Sequence, residues 1–282
     1  MSVADILVLG GPAAGKTHYA GQLFGRLRHD RRGALQLRSG GTDDLSKFEE
    51  VLHCLEEGRA AGHTPGKTWV KMRCELETKD GNSVVLEWPD YSGERLASIV
   101  DRRILAPEWR KSISAANAWM LFVRPSSLKL YEDLLSRPTG LPPERTKTGE
   151  QEVLGAGWDD RARYVELLQI LLFAAGQSTF QRISHPRIAV VLSCWDELDV
   201  NGTPEAVLQD RLPLLHAFVG STWMSESWSA WGLSSLGRSL HPDSRDDDYV
   251  DRGPENFGYV IRPGSTDQES DLTAPVAWLL EV

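Results

Sequence analysis

Gly10-Gly11-Pro12-Ala13-Ala14-Gly15-Lys16-Thr17 is the stretch whose reading decides the fold of this chain. It fits G-x-x-x-x-G-K-[ST] without a mismatch. Its glycines permit φ > 0, so successive backbone N–H groups can converge on one anion. In this pattern Lys16 would neutralise β- and γ-phosphate oxygens, and the Thr17 hydroxyl would ligate Mg²⁺. Just before it, Val3-Ala4-Asp5-Ile6-Leu7-Val8-Leu9 is a β-type run; just after it, a helical pattern runs from Lys16 to about His29. Strand, Gly-rich turn and helix in that order are the context a phosphate loop requires, and the helix adds its positive end. The candidate nucleotide contacts are Gly10, Gly11, Pro12, Ala13, Ala14, Gly15, Lys16, Thr17 and His18, with His18 expected to pack on the helix face.

Outward from the loop, residues 33–46 are rich in Gly, Ser, Thr and Asp and read as a loop. Phe48, Val51, Leu52 and Leu55 recur at i, i+3, i+4 and i+7, the spacing of an amphipathic helix. Trp69–Glu77 and Ser83–Trp88 are β runs separated by Lys79-Asp80-Gly81-Asn82, an Asp-Gly hairpin signal. Ala118–Val123 and Ile188–Leu192 are continuous apolar strands of the kind buried inside parallel sheets. Helices are expected over Arg161 to about Ile183, roughly Pro204–Val219, and Leu272–Leu280. The polar stretch 137–160 reads as a surface insertion. Alternating strands and helices with one early hairpin predict an α/β fold of three layers. Its sheet is mostly parallel with one antiparallel hairpin strand, and helices cover both faces. The expected organisation is a single domain over 1–282, with insertions near 33–62 and 137–160 and an extended C-terminal segment 237–282.

The 282 residues, 41% apolar and 25% charged, are ordinary for a globular protein. A formal charge of −9 argues against nucleic-acid binding and against docking on anionic membranes. Three scattered cysteines (Cys54, Cys74, Cys194) without CxxC spacing fit neither a disulfide framework nor a zinc site. No secretory leader is recognised at the start of the chain. The most apolar stretch, Leu167–Ala175, is far short of the roughly 20 residues that span a bilayer. A cytoplasmic location is the expectation.

Three further motifs follow the phosphate loop in order. Val84-Val85-Leu86-Glu87-Trp88 runs through Pro89 into Asp90-Tyr91-Ser92-Gly93-Glu94. An Asp at a strand end can hold Mg²⁺ through water, and a Gly three residues on can offer its N–H to a γ-phosphate. Val191-Leu192-Ser193-Cys194-Trp195-Asp196 ends the later strand, and Gly232-Leu233-Ser234-Ser235-Leu236-Gly237 follows. Together with the phosphate loop, these segments resemble the D-x-x-G, [NT]-K-x-D and S-A-[KL] elements of P-loop GTPases of the translation-factor-related (TRAFAC) class. Glu94, the long insertion before Ser193 and the extended tail look closest to the Ras-like and bacterial "double-GTPase" families linked to multi-gene conflict systems. The resemblance covers roughly residues 3–236. It implies GTP and Mg²⁺ as ligands, with Asp196 taking the N–H donors of the guanine edge and Ser234 and Ser235 lying in the base-binding loop. Two departures stand out: Ser193 and Cys194 replace the usual Asn/Thr and Lys, so the lysine that packs over the base is missing.

The resemblance also implies a switch Thr that meets Mg²⁺; Thr64 and Thr68 both qualify, and Thr64 is favoured by its Gly62–Lys67 surroundings. The metal set is then Thr17, Thr64 and Asp90, and the catalytic candidates are Lys16, Thr64 and Glu94. Glu94 stands where Gln or His usually orients the attacking water; its carboxylate is unfavourable beside a polyanion, so slow intrinsic hydrolysis is expected. Arg95, Arg102 and Arg103 follow closely, available to act in cis on the γ-phosphate or to lie solvated. Trp109 is expected in the core. Trp223, Trp228 and Trp231 are core residues first, with a partner surface as the alternative. The reading is a GTP-dependent switch whose protein effector engages 58–68 and 90–103. The alternatives are a hydrolysis-deficient assembly module and a P-loop small-molecule kinase.

Overall fold

The computed structural model describes residues 2–29, 33–38, 46–62, 69–79, 81, 83–91, 93–129 and 160–280. The run preceding the phosphate loop forms β1 (Ser2–Gly10), and the loop delivers the chain into α1 (Lys16–His29). Then come β2 (Leu35–Leu37), α2 (Ser46–Glu56), the hairpin β3 (Trp69–Thr78) and β4 (Ser83–Tyr91), α3 (Gly93–Arg102), α4 (Pro107–Ala115) and β5 (Ala118–Val123). The second half holds α5 (Asp160–Ala174), β6 (Arg187–Ser193), α6 (Pro204–Arg211), α7 (Pro213–Thr222) and β7 (Trp228–Ser234). It closes with α8 (Asp247–Arg252), β8 (Tyr259–Ile261), β9 (Gln268–Glu269) and α9 (Ala274–Leu279).

The strands form one sheet in the order β2-β3-β4-β1-β5-β6-β7-β8-β9. The five central strands, β4 to β7 in space, pair in parallel; β2 and β3 at one edge and β8 and β9 at the other pair antiparallel. Period-two alternation divides each central strand between two apolar layers. Ile6, Val8, Met120, Phe122, Ala189 and Val191 point into one, packed on α1, α2 and α9. Leu7, Leu9, Trp119, Leu121, Val190 and Leu192 point into the other, packed on α3 to α7. β5 and β6 carry helices on both faces, which is why both read as unbroken apolar runs.

Several boundaries differ from the sequence reading. The stretch 33–46 contains β2, whose three residues are too few to show a period, paired to β3 at Leu35↔Thr78. The helix expected over Pro204–Val219 is two, because Pro213 cannot donate to the carbonyl four residues back; it opens α7 instead. α5 stops at Ala174 rather than near Ile183. The polar 237–270 stretch supplies α8, β8 and β9. The insertion at 137–160 lies, Asp160 apart, outside the described residues. Trp109, Trp223 and Trp231 are fully buried core residues, and Trp228 is partly covered beside His216.

Candidate nucleotide site

Sheet register places the functional loops. Gly10 stands opposite Phe122, Val123 opposite Leu192, and Ser193 opposite Leu233. All these strands run the same way, so the chain leaves β1, β5, β6 and β7 at one level of one sheet edge. The carboxyl edge of an open α/β sheet is where ligands bind. A cavity of about 310 Å³ opens there, at the lower end of the roughly 300–1,000 Å³ usual for small-molecule sites. Gly11 to His18, after β1, line it on one side, and Asp196, Ser235 and Leu236, after β6 and β7, on the other.

The backbone of the loop is bent to its task. Gly15 has φ +80°, which strains a side-chain-bearing residue, and a Cβ at Gly10 would stand 2.9 Å from the Phe122 Cβ, so something would have to shift there. At Gly11 a Cβ would meet nothing within 4 Å and would stand in open space. Ala13 (φ 54°) and Cys194 (φ 53°), both in the cavity lining, are two of the three non-glycine residues with positive φ among those described. Such conformations are sparsely populated and gather at ligand sites. The Lys16 ammonium donates to the Gly10 and Gly11 carbonyls at 2.7 and 3.0 Å, which holds its charge across the mouth of the loop. Thr17 follows in the first turn of α1 and lines the same cavity.

On the other side, Asp196 is fixed by its neighbours. Ser234 Oγ donates to Asp196 Oδ1 at 2.5 Å and accepts from the Gly237 N–H at 3.0 Å. Ser193 Oγ donates to the Val123 carbonyl at 3.1 Å and ties the end of β6 to that of β5. Gly232 leaves room for Trp195: a Cβ there would come within 2.8 Å of the indole. The buried Trp195 thereby anchors the turn that presents Asp196. Cys194 also lines the cavity, and burial pushes its thiol up to about 11.

Residues without a motif complete the walls. Arg124, the residue after β5, donates to both Glu197 oxygens at 2.9 and 2.5 Å. It also lies 3.4 Å from the Ala13 carbonyl. Ser126 adds its hydroxyl to Glu197. Burial opposes ionisation of the Glu197 carboxyl, but the hydrogen bonds from Arg124 and Ser126 outweigh it and hold the group below its ordinary range. Arg238 is held against Asp246 and Asp248 and over the Phe257 ring. Ala60, Ala61 and Gly62 close the side.

The other expected site residues are placed as follows. Asp90 is the penultimate residue of β4, beside the strand that leads into the phosphate loop; Gly93 and Glu94 open α3. Thr64 and Thr68 lie outside the described residues. Arg103 is engaged by Glu166 of α5 at 2.6 Å, and Arg102 is exposed.

The donor set suits a magnesium–polyphosphate ligand. Mg²⁺ is ordinarily held by substrate phosphates, water and one or two protein oxygens, and Thr17 presents a hydroxyl beside the loop. Among the described residues there is no cluster of three or more His, Cys, Asp or Glu side chains that could hold a metal by themselves. No described helix is long and apolar enough to cross a membrane.

A phosphate loop between strand and helix, at the carboxyl edge of a parallel sheet, defines a P-loop nucleotide-binding fold. The family model for Double-GTPase 1 matches residues 7–279, and the chain belongs to that family. It is a GTP-binding protein of the GTPase type. Among solved structures, a GDP-bound Methanosarcina barkeri Roco2 RocCORdC is similar at 13% identity and a TM-score of 0.35, over 83% of this chain and 44% of that one. The chain thus spans less than half the length of that structure. A signal recognition particle receptor SRb-GTP/SRX complex from Chaetomium thermophilum is similar at 11% identity and a TM-score of 0.42, over 86% of this chain and 94% of that one. No curated protein matches the sequence.

Proposed function

We propose that the chain is a guanine-nucleotide switch with slow intrinsic hydrolysis. The observation that carries this reading is the single cavity lined on one side by Gly11–His18 and on the other by Asp196 and Ser235. A polyphosphate and a base can be gripped at opposite ends of it. In this reading the loop amides and Lys16 hold the phosphates, while Asp196, oriented by Ser234, accepts from the guanine edge. Ser235 and the backbone of its loop meet the opposite side of the base. Thr17, Asp90 and Thr64 are the residues that would hold Mg²⁺, which supplies neutralisation of phosphate charge when bound.

Thr64, Gly93 and Glu94 belong to the segments that distinguish triphosphate from diphosphate, and a protein effector reads 58–68 and 90–103. Glu94 places a carboxylate where a neutral water-orienting group would favour charge development, so hydrolysis is slow. The whole of 1–282 acts as one TRAFAC-class GTPase unit, in the cytoplasm, within a bacterial conflict or defence system. Cys194 in the lysine position favours a second reading, in which nucleotide licenses assembly with no turnover at all. Single-turnover cleavage of GTP tests both. The switch reading expects slow release of phosphate that Glu94→Gln changes; no release over many hours leaves the assembly module, and rapid release by the isolated chain refutes slow hydrolysis.

A further inference from the structure

The lysine missing at Cys194 leaves the middle of the cavity without the cation its class carries there, yet a cation stands in the cavity wall from another strand. Arg124 leaves β5 where Val123 pairs with Leu192 of β6, two residues before Cys194. Its guanidinium is fixed at three points. Two N–H groups meet Glu197, which is adjacent to Asp196, and the third nitrogen faces the Ala13 carbonyl of the phosphate loop. The side chain is 30% exposed, and both it and Ala13 line the cavity. It therefore spans the interval between the phosphate end and the base end. The two-point pairing with Glu197 holds its plane in one orientation.

We propose that Arg124 is a nucleotide-binding residue that replaces, from β5, the cation absent at Cys194, packing on the nucleoside part of a guanine di- or triphosphate. This rests on the assignment of the cavity to guanine nucleotide. Among the described residues the partners of Arg124 are Glu197 and Ala13, so it is expected to serve GTP and GDP alike. Glu197 acts as its positioning residue.

The test is titration of fluorescently labelled GDP and GTP into the full chain and into Arg124→Ala, Arg124→Lys and Arg124→Ala/Cys194→Lys, with nucleotide-free melting temperatures. Arg124→Ala is expected to weaken GDP and GTP alike by about tenfold, as for loss of one charge-assisted contact. Arg124→Lys, which keeps charge but loses the plane, falls between. Cys194→Lys in the Arg124→Ala background regains most of the loss, which a purely structural tie between loops would not do. Parent-like affinity in Arg124→Ala overturns the proposal, as does a loss confined to GTP or a fall in cleavage with affinity intact. If Arg124→Ala does not fold, parent-like affinity in Arg124→Lys overturns it. A parent chain that binds no guanine nucleotide removes the site assignment itself, and this proposal with it.

Discussion

In the proposed reading, Asp196 is the residue on which the choice of base turns. Its carboxylate is aimed by Ser234 Oγ at 2.5 Å, itself steadied by the Gly237 amide. A carboxylate that pairs with two donors on a bound base, once that base covers it, is left unmatched by a ligand lacking those donors. Asp196→Ala is expected to lower GTP affinity by at least about a hundredfold and leave ATP unaffected. Ser234→Ala is expected to cost about fivefold through misorientation alone. Competition titrations with GTP and ATP measure both. Cys194 offers a check on the walls. With its thiol pushed up to about 11 by burial, it holds its proton at neutral and mildly alkaline pH, and the thiolate appears only as pH rises toward that value. Iodoacetamide at about pH 8 should therefore modify it far more slowly than free cysteine; a rate equal to free cysteine would show the thiol to be open to solvent. Asp196 and the phosphate loop could be singled out in the sequence because their proposed chemistry demands fixed types at fixed spacing, and the fold brings both to one cavity. Arg124 could not be: one arginine between Val123 and Pro125 has no pattern, and its meaning comes from Ala13 and Glu197, which the fold brings to it.

At the scale of elements, α1 joins the site to the C-terminal segment. Tyr19 donates to the Leu272 carbonyl, the buried Gln22 amide to the Tyr249 hydroxyl, and the buried Arg26 to the Phe257 carbonyl. On its neighbouring face Gly21 and Gly25 admit α2: a Cβ at Gly21 would meet Val51 Cγ1 at 2.4 Å. α2 in turn packs Leu55 on Tyr249 and Phe257. Past its end, the Gly58 carbonyl accepts from the Asp246 amide, and Ala60 donates to the His241 carbonyl. The segment beyond β7 thus lines the cavity through Leu236 and Leu240 and holds the chain leading to 63–68. Gly58 has φ +70°, and its Cβ would lie 2.4 Å from the Asp246 carbonyl. Gly58→Ala should destabilise the fold by about 1–3 kcal/mol, read as a lower urea midpoint; an unchanged midpoint would show that this junction yields freely. Of this wall, α2 was readable beforehand from the spacing of Phe48, Val51, Leu52 and Leu55, and the segment beyond Gly237 was not. Residues 237–257 are polar and aperiodic, and they are held by contacts from distant parts of the chain and by Tyr249 and Phe257, stacked at 4.2 Å. β1, β5, β6 and the β3–β4 hairpin followed from apolar runs and an Asp-Gly turn; β7, which ends inside a segment read as a base-binding loop, was not foreseen, nor was the strand order, and β2, β8 and β9 are too short for any period to show.

At the scale of the molecule, one sheet edge gathers loops from β1, β4, β5, β6 and β7, although more than 200 residues separate Gly10 from Ser234. Parallel strands with helical crossovers make this unavoidable: every strand end of the same polarity arrives on the same side. An overall charge of −9 means that a polyanion must be attracted locally; in the proposed reading the loop amides and Lys16 supply that field inside a partly enclosed cavity, where charge acts more strongly than in bulk water. The most direct test is a titration of labelled GDP, GTP and ATP into the parent chain and Lys16→Ala. The account predicts that both guanine nucleotides bind, ATP at least about tenfold more weakly, and that Lys16→Ala weakens GTP by at least about tenfold. Equal affinity for all three nucleotides, undiminished in Lys16→Ala, would contradict it.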